Sequence, residues 1–272
     1  MGANNDASTG GKTEAAALRD GIQPTSGRGL VREAGGGTED IARPVPSSGP
    51  WYRRAVRGVR DPFSGLSHLG GAVLSLLALF TLIYAARGKP LHQASFLIYG
   101  LSLIALYTAS GLYHALRVSP KGVRRLQRLD YVAIFLLIAG TYAPVCLVTL
   151  HGPWGWSLLA IEYGLCTLGI VGVLVRRPIN DYLRVLLYVA MAYVAFMAIT
   201  PLRAALPPGG LAWLIGGGVV YSIGTVIFAL DRPHLWPGRF SAHDLWHVCV
   251  LGGSACHFVL MLLFIAPARL PL

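Results

Sequence analysis

Long apolar stretches separated by short charged segments make up most of the chain after residue 64. Each stretch has about 20 residues, the length that an α-helix needs to cross the hydrocarbon core of a bilayer. The apolar residues run continuously and do not alternate with polar ones, which excludes a β-barrel. The pattern predicts an all-α, polytopic membrane protein with seven transmembrane helices. The predicted spans are Gly65–Ala86, Ala94–Leu116, Tyr131–Leu150, Trp154–Val175, Val185–Leu202, Leu211–Leu230 and Leu245–Ala266.

Charged residues are almost absent from these spans, and Glu162 is the one charged residue inside them. A soluble helical protein would instead carry charges along the outer face of each helix. A chain of 272 residues is also too short to bury seven apolar helices inside a soluble core. Glu162 has two interpretations: it is protonated and hydrogen-bonded to a neighbouring helix, or it lines a polar cavity. The fifth span is the least regular, since Arg184 precedes it directly and Pro201 lies near its end.

The first 50 residues have a different composition. They contain no Phe, Trp, Tyr or Cys, and they include glycine runs such as residues 35–37. Such a segment cannot bury enough apolar surface to offset its ordering entropy. We therefore expect a disordered tail at 1–50, a basic juxtamembrane segment at 51–64 and a transmembrane domain at 65–272. No apolar signal-peptide core precedes residue 51, and Asp6 stands where a myristoylation signal needs Ser or Thr.

The net charge of +11 is distributed unequally between the two sides of the predicted bundle. If the spans cross alternately, 14 of the 18 Lys and Arg residues after residue 50 lie on the N-terminal side. The positive-inside rule then predicts a cytoplasmic N-terminus and an outside C-terminus. Because these cations lie in short loops at one membrane face, they favour contact with anionic lipid headgroups over a nucleic-acid surface. No nucleic-acid partner is expected.

Polar residues from three different spans converge at the predicted cytoplasmic end. Ser110 and His114 are four residues apart and share a helix face, as do His243 and His247 at the start of the seventh span. Asp130 directly precedes the third span at the same side. Ionisable groups are costly inside a bilayer, so their convergence indicates a functional site.

Histidine nitrogens are good zinc ligands, and three of them leave a fourth tetrahedral position for water, as in catalytic zinc sites. The spacing therefore predicts a zinc ion at His114, His243 and His247. Asp130 would orient the water, accept its proton or hold a ligand imidazole. A haem is the alternative, but two ligands on one helical turn suit a small ion better. His68, at the same end of the first span, is either a group that handles substrate or protons, or a packing residue.

Five sequence motifs carry a resemblance to a known family. They are Ser110-Gly-Leu-Tyr-His114, Arg125-Leu-Gln-Arg-Leu-Asp130-Tyr, Ile138-Ala-Gly-Thr-Tyr-Ala-Pro144, His243-Asp-Leu-Trp-His247-Val and Gly253-Ser-Ala-Cys-His257-Phe. Together they resemble the haemolysin III family, the bacterial branch of the progestin and adipoQ receptor family, which is related more distantly to alkaline ceramidases. The resemblance covers roughly residues 61–266 and does not include the tail.

The resemblance implies a seven-helix fold with a cytoplasmic N-terminus and zinc held by His114, His243 and His247. It also implies that Asp130 contacts the water on zinc and that Ser110 lies beside it. Two positions depart from the usual family pattern: Ser64 replaces an Asn, and Tyr131 replaces a His that is frequent in bacterial members. Tyr131 is therefore, like His68, a candidate for contact with substrate or with a metal ligand.

Three functions are consistent with these features. The first is a zinc-dependent hydrolase of lipid amides or esters, similar to a ceramidase. The second is a receptor or signalling protein with structural zinc, and the third is a cytolytic protein that damages membranes. In each case we expect a multi-pass protein of the cell membrane whose substrate or ligand is a membrane lipid.

Overall fold

A computed structural model describes residues 58–175, 179–233, 235–236 and 240–270. Seven of its helices are long and apolar enough to cross a membrane, which confirms the seven-span, all-α prediction. They are α1 (Pro62–Ala85), α2 (Pro90–Ala115), α3 (Pro120–Thr149), α4 (Pro153–Leu174), α5 (Asp181–Ala205), α6 (Pro208–Leu230) and α7 (Ala242–Ile265). The expected tail at 1–50 and the basic segment up to residue 57 lie outside the described residues, so the domain boundaries stay predictions.

Local sequence signals explain where the helices begin. Five of the seven start with a proline, whose fixed φ and missing N–H suit the first helical turn. At α7, Ser241 and Asp244 form a capping box. Helix α3 begins at Pro120, well before its predicted start at Tyr131, because its first turns are amphipathic. There Val123 is buried while Lys121 and Arg124 are exposed.

Three of the helices leave regular α geometry. In α3, Pro144 is followed by a π-helical turn over Val145–Thr149, because proline has no N–H to continue the α pattern. In α5, a 3-10 turn over Val194–Ala198 separates two α-helical parts. The Tyr142 hydroxyl joins these irregular regions, since it donates to Met191 O at 2.8 Å and accepts from Ala195 N at 2.9 Å. Helix α7 also ends in a π-helical turn.

The outer surface of the bundle is apolar, as expected for contact with lipid. On α1, for example, Val73, Leu74 and Phe80 are 62%, 64% and 66% exposed. Large aromatic side chains fill the interior instead, among them Phe96, Tyr99, Tyr107 and Phe135. The distribution of exposed apolar residues supports a multi-pass membrane protein.

A hydroxyl cluster joins three helices in the interior. The Ser254 hydroxyl on α7 accepts a hydrogen bond from Tyr107 of α2 at 2.7 Å and lies 2.7 Å from the Tyr221 hydroxyl of α6. Tyr99 adds a longer contact of 3.4 Å to the Ser254 carbonyl. Hydrogen bonds of this kind hold helices together where the hydrophobic effect cannot.

Candidate metal centre

Three histidines meet where α2 ends and α7 begins. His114 is the residue before the last of α2, and His243 and His247 lie in the first two turns of α7. The capping box at Ser241 fixes the start of α7, and its Asp244 also accepts a hydrogen bond from the Ser64 hydroxyl of α1 at 2.7 Å. The start of α1 is thereby attached to the helix that carries two of the three histidines.

The histidine Nε2 atoms have the spacing of ligands that share one ion. Nε2 of His243 lies 3.3 Å from Nε2 of His114 and 3.1 Å from Nε2 of His247. A zinc ion with four ligands at 2.0–2.1 Å separates neighbouring ligand atoms by about 3.3 Å. Within the described residues, these three histidines can therefore form a metal site.

Asp61 orients the His114 ring from behind. Its Oδ2 accepts a hydrogen bond from His114 Nδ1 at 3.0 Å and another from Arg60 Nε at 3.1 Å. A carboxylate partner of this kind fixes the tautomer of a metal-binding histidine and directs its other nitrogen to the metal. Burial alone would raise the pKa of the Asp61 carboxyl. The hydrogen bond and electrostatic effect of the His114 ring, together with the Arg60 charge, outweigh that effect and hold the pKa below its ordinary value.

The predicted acid and serine lie next to the centre. Asp130 of α3 is buried, and the Ser110 side chain of α2 is within hydrogen-bonding reach of its carboxyl. His114 is close enough to act electrostatically on the same carboxyl. The structure thus brings together Ser110, His114 and Asp130 from two helices, with Asp130 outside the converging set of nitrogen ligands.

Comparison with known proteins places this arrangement in a family. The model of the family described as "Haemolysin-III related" matches residues 57–258. The chain belongs to the haemolysin III family. The matched region contains every candidate site residue, and it confirms the resemblance inferred from the motifs.

Individual relatives agree with this assignment. Hemolysin-3 of Bacillus cereus is 39% identical over 208 residues, which is 75% of this chain and 91% of the relative. Hemolysin-3 homolog of Bacillus subtilis (strain 168) is 37% identical over 205 residues, or 74% of this chain and 92% of the relative. The Adiponectin receptor protein of Drosophila melanogaster is 20% identical over 236 residues, or 79% of this chain and 53% of that protein. The last match fits the expected relation to the progestin and adipoQ receptor family.

His68 packs directly behind one of the three histidines in this haemolysin III protein. It is 3% exposed, and its ring centroid lies 3.9 Å from that of His247 and 5.0 Å from that of Tyr107, to which it is nearly perpendicular. Neither ring nitrogen makes a hydrogen bond of normal geometry with the described residues. These ring contacts support the interpretation of His68 as a packing residue, while a role of His68 with substrate stays a prediction.

Tyr131 supports a buried cation near Asp130. The guanidinium of Arg184 lies 3.5 Å from the centre of the Tyr131 ring and donates to Asp181 at 2.7 Å. From the sequence, Arg184 was expected just outside the fifth span, but it lies inside α5 and is 8% exposed. It is near enough to Asp130 to act on that carboxyl electrostatically. Sequence patterns could not reveal this pairing, because it joins α3 and α5.

Proposed function

We propose that this haemolysin III protein is a zinc-dependent hydrolase of lipid amides or esters. The spacing of the Nε2 atoms of His114, His243 and His247 carries the proposal, since it suits one small ion. Zinc bound there would polarise a substrate carbonyl and lower the pKa of a coordinated water to roughly 7. A site with three protein ligands leaves room for that chemistry.

We assign proton transfer to Asp130. Its carboxylate takes the proton of the attacking water while the water oxygen bonds to the substrate carbonyl carbon. The same proton passes to the leaving nitrogen or oxygen as the C–N or C–O bond breaks. Ser110 holds the Asp130 carboxyl, and Asp61 holds the His114 ring in its ligand orientation.

The surroundings of the centre favour a membrane lipid as substrate. The three histidines lie near helix ends, and the helices around them have exposed apolar faces that suit contact with lipid. We assign this end to the cytoplasmic face of the cell membrane, since the basic loops favour that orientation. Anionic headgroups would contact the exposed cations in the first turns of α3, which are Lys121, Arg124, Arg125 and Arg128.

Metal analysis and lipid turnover test the proposal together. Purified protein should contain about one zinc per chain, and the His243→Ala, His247→Ala double variant should contain none. Asp130→Asn should retain zinc but lose turnover on a panel of ceramides and ester lipids. Asp231→Asn, an exposed substitution outside the centre, serves as the matched control. Metal-free, well-folded wild-type protein would exclude the proposed centre.

The relatives favour two other functions, which experiments on the same purified protein and variants can distinguish. The similarity to an adiponectin receptor protein favours a receptor with structural zinc. Zinc-loaded protein without turnover on any lipid of the panel would favour that function. The names of the Bacillus relatives favour membrane damage. Dye leakage from liposomes that is unaffected by Asp130→Asn and by loss of zinc would favour cytolysis.

A further inference from the structure

Glu162 of α4 is a buried carboxyl far from the histidine centre. Its side chain is 0% exposed, and neither carboxyl oxygen has a hydrogen-bond partner among the described residues. Glu162 lies beside Tyr142 of α3, which is twelve residues after Asp130. At 1.5 Å per residue, this separation is about 18 Å along the helix. The site is therefore distinct from the centre that contains Asp130.

The groups around Glu162 cannot balance a negative charge. The titratable side chains that face it are Tyr142 and Cys146 from α3, and Tyr163 and Cys166 from α4 itself. Among the described residues, no titratable side chain of α5 and no Lys, Arg or His was found to act on the Glu162 carboxyl. The Tyr142 hydroxyl is already used by backbone groups of α5. An ionised Glu162 would thus lack both a cation and a hydrogen-bond donor.

A metal ion does not fit this position either. The Cys146 and Cys166 thiols do not converge with the Glu162 carboxyl on one point. Among the described residues, the group of side chains that could hold a metal ion is the histidine set. Hard monovalent cations prefer oxygen ligands, and thiols are poor partners for them. The occupant that the surroundings accept is the smallest one, a proton on the carboxyl itself.

We infer that Glu162 is a proton-binding site, whose carboxyl is held as the neutral acid within the membrane-spanning bundle. A proton from water adds to one carboxylate oxygen and removes the charge that the apolar surroundings cannot stabilise. Asp130 has a different environment, because the Ser110 hydroxyl is within hydrogen-bonding reach of its carboxyl and the Arg184 guanidinium is near enough to act on it. The assignment of Glu162 rests on its own surroundings and does not depend on the zinc chemistry.

Infrared spectroscopy can isolate this carboxyl. The chain has four glutamates, which are Glu14, Glu33, Glu39 and Glu162. In a full-length variant with Glu14, Glu33 and Glu39 changed to Gln, carbon-13 glutamate places the label on Glu162 alone. In lipid nanodiscs at neutral pH, the label should shift the C=O band of a protonated acid and no carboxylate band. A labelled carboxylate band would overturn the inference, and this variant leaves Glu162 itself unchanged.

The wild-type background provides the matched comparison. Labelled wild-type protein should show one acid band that Glu162→Gln removes, whereas Glu39→Gln should remove carboxylate intensity and keep the acid band. Because Gln is neutral and similar in shape, Glu162→Gln should retain the wild-type melting temperature. An acid band that survives in Glu162→Gln would also overturn the inference. If that variant does not fold, the protein in which Glu162 is the sole glutamate decides the result by itself.

Discussion

Asp61 provides a direct test of how the histidine centre is built, because its carboxylate contacts the back of a proposed ligand. Its Oδ2 lies 3.0 Å from His114 Nδ1, which leaves Nε2 of that ring for the metal. The Asp61 side chain makes no capping hydrogen bond to α1, so its removal does not uncap that helix. Asp61→Asn removes the charge but keeps an oxygen that can accept the Nδ1 hydrogen, whereas Asp61→Ala removes both.

The expected loss of zinc affinity follows from the role of such partners. Removing a carboxylate that orients a metal-binding histidine lowers metal affinity by about 10-fold to 100-fold, or about 1.4 to 2.8 kcal/mol. The Asp61 side chain is 43% exposed, so water can partly replace it and screens its charge. We therefore expect Asp61→Asn to lose about tenfold in affinity, and Asp61→Ala to lose more, within about 100-fold.

Zinc competition against a chelator measures this affinity on purified protein. Melting temperatures in excess chelator separate loss of zinc binding from loss of fold, and both Asp61 variants should match the wild type under that condition. Asp231→Asn is the control, because Asp231 is exposed and has a positive φ of 48°, which Asn tolerates. If both Asp61 variants bind zinc as tightly as the wild type, Asp61 does not orient a ligand and the reasoning is wrong.

Helix packing, the hydroxyl cluster and chain orientation each lead to one further prediction. Gly155→Ala should lower the melting temperature in detergent, because the added Cβ would collide with the Cys146 carbonyl. Gly164→Ala is the control and should not lower it, since nothing lies within 4 Å of a Cβ at that position. Equal melting temperatures for the two variants would contradict this packing. Ser254→Ala should cost about 1 kcal/mol of unfolding free energy through its lost interhelical bonds, measured against the exposed Thr167→Ala, and no difference between the two would refute it. A protease added outside should cut an N-terminal tag in inverted vesicles only, and cleavage in right-side-out vesicles would reverse the orientation.

The helices and most of their ends could be predicted from the sequence, and the start of α3 is the large exception. A continuous apolar run of bilayer length is stable across the membrane as an α-helix, because a helix satisfies its own backbone hydrogen bonds. The start of α3 was missed because residues 120–128 carry cations, which hydropathy assigns to a loop. Those residues are nonetheless helical, with Val123 facing inward and Lys121 facing out. Hydropathy also placed Arg184 outside its helix, and its contact with the Tyr131 ring of another helix has no signal in the sequence.

The candidate ligands could be grouped from spacing, because residues four apart share a helix face whatever the tertiary structure. The residues that orient them could not. Asp61 reaches His114 because the chain before α1 lies along the end of α2, where Asp61 N donates to His114 O at 2.9 Å. That contact links positions 53 residues apart and has no periodic signal.

The start of α1 contacts both helices that carry the histidines. Asp61 holds His114 at the end of α2, and three residues later Ser64 holds Asp244 beside His243 at the start of α7. The two contacting residues are three positions apart, so this short segment connects the two sides of the centre. A rigid separation of the Nε2 atoms is what a tetrahedral ion requires. We therefore expect the spacing of the three candidate ligands to depend on a segment that contributes none of them.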